Sequence, residues 1–289
     1  MKKILLTTIM SLPLLAQSTN FIEIGIGSQK GTDNFHVEST QNNTSYNTAD
    51  SFTNAIPYIQ FEYSYKNFIT KTMQDNLLFA YKNRTLTAGL FTSISNSKES
   101  AWSNPYTLNT NKEKTKVSKS GAYLEYNIVQ KANYGSKVSY TYTKYDFEDD
   151  TTTSSLQRDA NDHTIKIDNR YKSNILYNLS YNIHDAKGEQ SSSKDYDIGA
   201  GYIYNVNKQF NLVVLANIGK TSYDTKNTIL NKKIESTNTQ FTVVSTWQNP
   251  FALQNKYIKV IYRNSNEDAN HDFYDKKQQL AVVSMGFKF

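Results

Sequence analysis

Apolar and polar residues alternate along the C-terminal end of the chain. Every second residue there is apolar or aromatic, namely Ala281, Val283, Met285, Phe287 and Phe289. The other phase contains Ser284, Gly286 and Lys288. Because successive side chains of a β-strand point to opposite faces, this segment is predicted to be a strand with one apolar face and one polar face.

The same alternation recurs upstream, and a helical period fits none of these segments. It is clearest in residues 59–65, 122–128, 138–142, 175–183 and 258–262. The pattern predicts fourteen strands, at 21–28, 54–65, 68–73, 76–82, 85–95, 116–128, 134–146, 161–170, 174–185, 194–205, 209–222, 234–248, 256–264 and 277–289.

The segments between these strands alternate between short turns and long polar loops. Apolar faces turned to lipid, a polar interior, and long loops on only one side are typical of outer-membrane barrels. We predict an all-β fold, a transmembrane antiparallel up-and-down β-barrel of about fourteen strands without a plug or a further domain. Twelve strands are the alternative, because 68–73 and 76–82 are shorter than the roughly 9–11 residues that a tilted strand needs to cross.

The N-terminus has the three parts of a secretory signal peptide. Met1-Lys2-Lys3 is a basic start, residues 4–15 are an apolar run, and Ala16-Gln17-Ser18 is a small-x-small exit. The run is shorter than the about 20 residues of a spanning helix, and Pro13 interrupts it. We predict a signal peptide at 1–18, cleaved after Ser18 or alternatively Ala16, and a barrel at 19–289.

Composition narrows the range of partners and cofactors. Of the 32 cationic residues only Arg84, Arg158, Arg170 and Arg263 are arginines, which argues against a nucleic-acid partner. The acidic stretches 146–150 and 267–275 lack the ligand spacing of a calcium loop, so no metal or other cofactor is predicted. The expected partners are outer-membrane lipid, lipopolysaccharide phosphates, the barrel insertion machinery and small solutes.

Charged residues also fall on the polar phase of the predicted strands, where they would face the lumen. They are Glu62, Glu125, Lys137, Lys166, Asp168, Arg170, Asp197, Lys259 and Lys288. Charges of both signs can neutralise one another across neighbouring strands, or they can filter solutes as charged rings do in channels. We predict a passive porin-like channel for small hydrophilic solutes, and a non-conducting structural or surface-binding barrel is the alternative.

A hydrolase at the barrel rim is the third hypothesis. His271 lies between Asp268 and Asp272 in one long loop, and a histidine beside carboxylates is the minimum that such chemistry needs. A histidine in a polar loop is more often only solvated. The prediction is therefore that the protein is not an enzyme.

The chain ends on an aromatic residue after an alternating strand. This ending resembles the terminal signal that outer-membrane barrels present to their insertion machinery, here Val283, Met285, Phe287 and Phe289.

Residues 195–289 also resemble an uncharacterised family of outer-membrane barrels, classed as a domain of unknown function. The motifs that carry this resemblance are Gly199-Ala200-Gly201-Tyr202, Asn249-Pro250-Phe251, Asn264-Ser265-Asn266 followed by Phe273-Tyr274-Asp275, and Gly286-Phe287-Lys288-Phe289. The stretch between Asn266 and Phe273 is longer than in that pattern. The layout is also distantly similar to the barrels of surface-lipoprotein export proteins, whose periplasmic helical repeats this chain lacks. The resemblance implies a fold and no activity.

Overall fold

The structure is a computed structural model that describes residues 20–37, 45–46, 51–73, 76–93 and 99–289. The predicted signal peptide lies outside these residues and stays a prediction. Within them, no helix is long and apolar enough to cross a membrane.

The described chain is built from β-strands joined by turns and a few single turns of 3-10 helix. The strands are β1 (Phe21–Thr32), β2 (Ser51–Tyr65), β3 (Phe68–Met73), β4 (Asn76–Lys82), β5 (Leu86–Ser93), β6 (Glu99–Trp102), β7 (Lys114–Lys131), β8 (Tyr134–Phe147), β9 (Ala160–Tyr171), β10 (Ile175–Ala186), β11 (Ser193–Asn205), β12 (Phe210–Asn227), β13 (Lys232–Gln248), β14 (Lys256–Ala269) and β15 (Lys276–Lys288).

Antiparallel pairing closes these strands into a barrel. Apart from β5 and β6, which do not pair with each other, each strand pairs with its neighbours in sequence. Strand β5 pairs with β7, and β1 pairs with both β2 and β15. The wall therefore contains fourteen strands in a closed ring, which confirms the predicted fold class and excludes the twelve-strand alternative. The first and last described residues lie at the short-turn end, where the backbone N–H of Phe289 donates to the carbonyl of Asn20 at 3.1 Å.

The short strand β6 is not among the strands that the sequence predicts. It pairs only with β7, with Glu99 opposite Val117 and Trp102 opposite Lys114. Because β5 pairs with residues 120–126 of the same strand, β6 continues the line of β5 towards the long-loop end. Its four residues carry too little alternation to be recognised in sequence.

Several strands are longer than the sequence pattern predicts. Strand β12 runs to Asn227 and strand β13 begins at Lys232, so only residues 228–231 form the turn between them. Strands β3, β4 and β5 are the short ones, with 6, 7 and 8 residues. The wall is therefore low on the β3–β5 side and extends as hairpins on the opposite side.

Exposed apolar residues occupy the outward phase of the strands, as the alternation predicts. Ile24, Ile26, Leu179 and Val283 are more than half exposed, whereas their strand neighbours face the interior. Exposed aromatic residues gather close to the short turns, namely Tyr65, Phe68, Tyr81, Tyr126, Tyr171, Tyr202, Tyr204 and Phe287. An apolar band bordered by aromatic residues is the surface that a bilayer covers.

A charge placed on the outward face tests this assignment of the two faces. Leu179 is 52% exposed on β10, and its neighbour Asn178 points inward, with its amide 3.4 Å from that of Asn217. Arginine at the bilayer midplane costs roughly 2–4 kcal/mol, so Leu179→Arg should sharply lower the yield of folded barrel. The Asn178→Arg variant is the matched control and should assemble. The measurement is the fraction of heat-modifiable protein on gels, and the reverse order of the two variants would contradict the assignment.

Candidate functional site

A continuous chain of ion pairs lines one side of the lumen. The Lys137 amine lies 2.8 Å from a carboxylate oxygen of Glu125 on β7 and 3.9 Å from Asp168 on β9. Lys166 lies 3.1 Å from the other oxygen of Asp168, and the Tyr123 hydroxyl donates to Glu125 at 2.7 Å. Four of the charges predicted from sequence are therefore joined across three neighbouring strands.

The chain of charges continues on the low side of the wall. Glu62 on β2 is the register partner of Lys71 on β3, and it lies 3.9 Å from Lys82 on β4. Sequence analysis identified Glu62 and missed both lysines. Their strands are so short that the alternation of β3 and β4 gives little indication of which residues point inward.

A second polar cluster surrounds Glu23, which the sequence analysis also missed. Its carboxylate accepts from the Tyr257 hydroxyl at 2.8 Å and from Ser284 at 2.5 Å, and it pairs with Lys259 at 2.5 Å. These partners lie on β14 and β15, next to the seam where β1 closes the barrel. The signal was available, because Glu23 falls on the opposite phase from Ile22 and Ile24.

The remaining charges predicted to face the lumen lie outside these ion-pair networks, although the Lys288 amine lies 5.5 Å from the ring centroid of Tyr257. Lys288 donates to the side-chain oxygen of Gln248 at 2.9 Å. Asp197 lies against Gly219 of the next strand, and Arg170 lies near Gly135 close to a short turn. That any of these charges selects solutes stays a prediction.

Two glycines on the inner face allow side chains of non-adjacent strands to meet. A Cβ on Gly286 would lie 2.0 Å from the ring of Tyr257, so the absence of a side chain lets Tyr257 pass across β15 to Glu23. A Cβ on Gly199 would lie 1.8 Å from the amide oxygen of Asn217, which meets Asn178 across β11. Both glycines belong to the motifs that carry the family resemblance.

The long loops meet in a buried, mostly aromatic core, which we call the cap. It comprises Phe35, Tyr106, Leu156, Tyr223, Ile234, Phe273 and Tyr274. Ring centroids lie 5.2 Å apart for Phe35 and Tyr274 and 5.5 Å apart for Phe273 and Tyr106. The polar composition of the loops gave no indication of this core.

Hydrogen bonds join the loops that form the cap. The hydroxyls of Tyr106 and Tyr274 are 2.6 Å apart, and the amide of Asn227 donates to both at 3.4 and 3.3 Å. Burial raises the pKa of both phenols, so both keep their protons at neutral pH. The link can therefore persist over the whole physiological range.

Arg158 holds a third loop against the β6–β7 loop. Its guanidinium donates at 2.7 Å to the carbonyls of Trp102 and Ser103, and it pairs with Asp150 at 3.1 Å. Burial alone would raise the pKa of Asp150, but the hydrogen bonds and charge of Arg158 outweigh it and lower that pKa. Asp150 is therefore ionised at neutral pH, as an ion pair requires.

The cap bridges the mouth of the barrel. Tyr106 follows β6, whereas Asn227 ends β12 and Tyr274 precedes β15, on nearly the opposite side of the ring. Leu156, between β8 and β9, joins the same core as Phe35, which follows β1. Contacts between opposite sides of a ring can form only over its opening.

Two of the histidines contact groups that hold their rings in place. The ring of His271 accepts from the backbone N–H of Phe273 at 3.3 Å, so it begins a turn of 3-10 helix. His184 on β10 contacts Asp162 on β9, inside the barrel. Among the residues that the structure describes, no group of three or more His, Cys, Asp or Glu residues could hold a metal ion.

Sequence comparison identifies the family. Residues 19–288 match the family described as "Protein of unknown function (DUF2860)". The chain belongs to this family. The match confirms the resemblance seen in the C-terminal motifs and extends it over the whole barrel. DUF2860 has no assigned activity, and no curated protein matches the chain.

Solved structures of similar shape share little sequence with this DUF2860 member. OccAB4 of Acinetobacter baumannii is 10% identical with a TM-score of 0.46, over 95% of this chain and 99% of that one. OprD of Pseudomonas aeruginosa is 9% identical with a TM-score of 0.46, over 94% of each chain. A bacterial polysaccharide outer membrane secretin is 10% identical with a TM-score of 0.48, over 94% of this chain and 100% of that one. The fold described above rests on strand pairing and not on these similarities.

Replacing Arg158 tests whether it holds the cap together. Arg158→Ala removes the charged partner of Asp150 and the guanidinium hydrogen bonds to two carbonyls, and loss of one member of a buried ion pair costs roughly 3–5 kcal/mol. Trp102 lies buried beside this contact, so its fluorescence should shift to the red in a Trp247→Phe background, and the loops should become sensitive to protease. Arg84→Ala, in an exposed turn at the opposite end, is the control and should change neither signal.

Proposed function

We propose that this protein is an outer-membrane channel for small hydrophilic solutes. The observation that carries the proposal is a closed fourteen-strand barrel whose interior bears ion-paired charges. Eight strands are just filled by side chains, whereas sixteen or more leave an aqueous channel, so fourteen strands provide an intermediate lumen.

The charged lining supports a lumen that contains water. The Lys137 side chain is 32% exposed even though it pairs with two carboxylates. Removing charges completely from water costs several kcal/mol per ion, and paired charges in a wet lumen avoid most of that cost. The same inner face also carries a buried apolar cluster of Leu176, Val213, Val244, Ile261 and Val282, so the charged lining occupies only part of the lumen.

The outward surface supports a location in the outer membrane. The exposed apolar band and the aromatic residues near the short turns match a bilayer, and bacterial barrels with long loops place them outside the cell. Lipid and lipopolysaccharide would surround the band. The insertion machinery would recognise the C-terminal strand with Val283, Met285, Phe287 and Phe289. Export by the signal peptide at 1–18 is part of the same proposal.

The cap favours a second candidate, a barrel that does not conduct and whose loops bind a partner or stabilise the envelope. An aromatic core across the mouth obstructs solutes while it is in place. The two candidates therefore differ in whether a lumen beneath the cap conducts once the cap is opened.

Conductance of wild type and a cap variant in planar bilayers separates the two candidates. Tyr106→Ala removes the hydroxyl link to Tyr274 and the ring contacts with Phe35 and Phe273, and loss of a buried aromatic side chain costs about 3–5 kcal/mol. We expect Tyr106→Ala to show larger or more frequent conductance steps than wild type. Tyr204→Ala, which removes an outward-facing tyrosine, is the control. Silence of wild type and Tyr106→Ala alike, with both folded, would support the non-conducting barrel instead.

Charge reversal in the lumen tests whether solutes pass the ion-pair chain. Lys137→Glu with Lys166→Glu converts the side of the lumen around Glu125 and Asp168 from mixed to acidic. The reversal potential in a salt gradient should shift towards cation selectivity, because fixed charge concentrates ions of opposite sign in a narrow pore. Lys144→Glu with Lys116→Glu, on exposed outward-phase positions, should leave it unchanged. Equal shifts of the reversal potential in both double variants would show that ions do not pass along these ion pairs.

Cell fractionation and mass measurement test location and processing. The protein should sediment with outer membranes, run at a different apparent mass when unboiled, and begin after Ser18 or Ala16. Deletion of Phe289 should lower assembly yield without abolishing it, because the terminal signal is distributed over several residues. Recovery of soluble mature protein from the periplasm would contradict the proposed location.

A further inference from the structure

The short-turn end of the barrel carries a ring of cations without acidic residues. The six turns there join β2 to β3, β4 to β5, β7 to β8, β9 to β10, β11 to β12 and β13 to β14. Each turn, together with its flanking strand residues, contains at least one lysine or arginine and no Asp or Glu. We call these residues the basic rim: Lys66, Arg84, Lys131, Lys172, Lys208 and Lys256.

The long-loop end has a different composition. Acidic residues are frequent there, for example Asp33, Asp150, Asp224 and Asp272. The basic rim is therefore a property of one end of the barrel and not of the whole surface. Lys82 is near the same end but is not part of the rim, because it points into the lumen, where its amine lies 3.9 Å from Glu62.

Several rim amines lie against aromatic rings on the outward side of the wall. Lys66 is 5.4 Å from the ring centroid of Tyr65, and Lys172 is 5.4 Å from that of Tyr171. Lys256 lies 5.8 Å from the ring of Phe287. All three rings are exposed on the face that carries the apolar band. The amines are therefore held at the edge of that band, where lipid headgroups begin.

From this arrangement we propose that the basic rim binds the phosphates of anionic phospholipids in the leaflet at the short-turn end. Lysine at an anionic membrane surface is attracted by the headgroup charge, and the aromatic ring beside it packs against the upper part of the acyl chain. A soluble anion would not require the amines to lie on the lipid side of the wall. The proposal rests on the proposed membrane location and is independent of conduction.

Native mass spectrometry of protein reconstituted in an equimolar mixture of phosphatidylglycerol and phosphatidylcholine tests the proposal. Wild type should retain phosphatidylglycerol in about fivefold excess or more, the factor expected from one lysine at an anionic surface. The rim variant Lys66→Gln/Arg84→Gln/Lys172→Gln/Lys208→Gln removes four of the six rim cations and should retain phosphatidylglycerol in a clearly smaller excess than wild type.

A variant with the same change of net charge serves as the control. Lys30→Gln/Lys116→Gln/Lys144→Gln/Lys277→Gln removes four exposed lysines towards the long-loop end and should keep the wild-type ratio. Lys66→Arg/Lys172→Arg/Lys208→Arg preserves the rim charge and should also keep it. This variant keeps the test decisive if the glutamine variant fails to fold.

Three results would overturn the proposal. They are equal retention of both lipids by wild type, an equal loss of preference in the rim and control variants, and complete displacement of phosphatidylglycerol by inorganic phosphate. The last result would identify the rim as a site for soluble anions. A protein that shows the lipid preference but no conductance would leave this proposal intact while contradicting the channel.

Discussion

Closure of the backbone hydrogen bonds is the constraint on which the rest of the structure depends. A strand edge in hydrocarbon has no water to satisfy its N–H and C=O groups, so only a ring without edges is stable there. In this chain the ring closes between its first and last strands, from Phe21 opposite Lys288 to Thr32 opposite Lys277. That seam fixes the register of β1 and β15, and the register determines which of their residues face lipid. The Glu23 cluster lies beside the seam because both of its sides are brought together by closure.

Sequence was sufficient for most of the wall because the longer strands each carry their own two-residue period. Whether Ile24 faces outward and Glu23 inward depends only on their immediate neighbours and on which side is lipid. The contacts of the cap have no such local basis. Tyr106 and Tyr274 are separated by 168 positions, and each lies in a loop whose polar residues suggest solvent exposure. Lys71 on β3 and Lys82 on β4 were missed because those strands are too short to show which of their residues point inward.

The motifs shared with the DUF2860 family acquire a physical meaning in the structure. Gly199 and Gly286 leave room on the inner wall, so that Asn217 reaches Asn178 and Tyr257 reaches Glu23. Asn249 begins the β13–β14 turn with a φ of 50°, a left-handed conformation that asparagine tolerates well. Phe273 and Tyr274 supply two rings of the cap. These motifs therefore lie in the lumen, in a tight turn and at the mouth. At these places the structure needs particular residue types, and an alternation of apolar and polar residues does not specify them.

The lumen and the cap impose opposite demands on water. The ion pairs of Glu125 and Asp168 with Lys137, whose side chain is 32% exposed, suit a lumen that contains water, whereas Phe273 and Tyr274 pack with almost no exposure. A lumen that contains water, as the channel proposal requires, needs a boundary with this cover. In this barrel the boundary is made by side chains from separate loops, joined by a few hydrogen bonds such as those of Asn227 and Arg158. Loops of this kind open locally at much lower free energy than strands paired on both sides. The paired strands are therefore the more stable part of the molecule. Whether the cap is closed or open determines whether the lumen is accessible from the long-loop end.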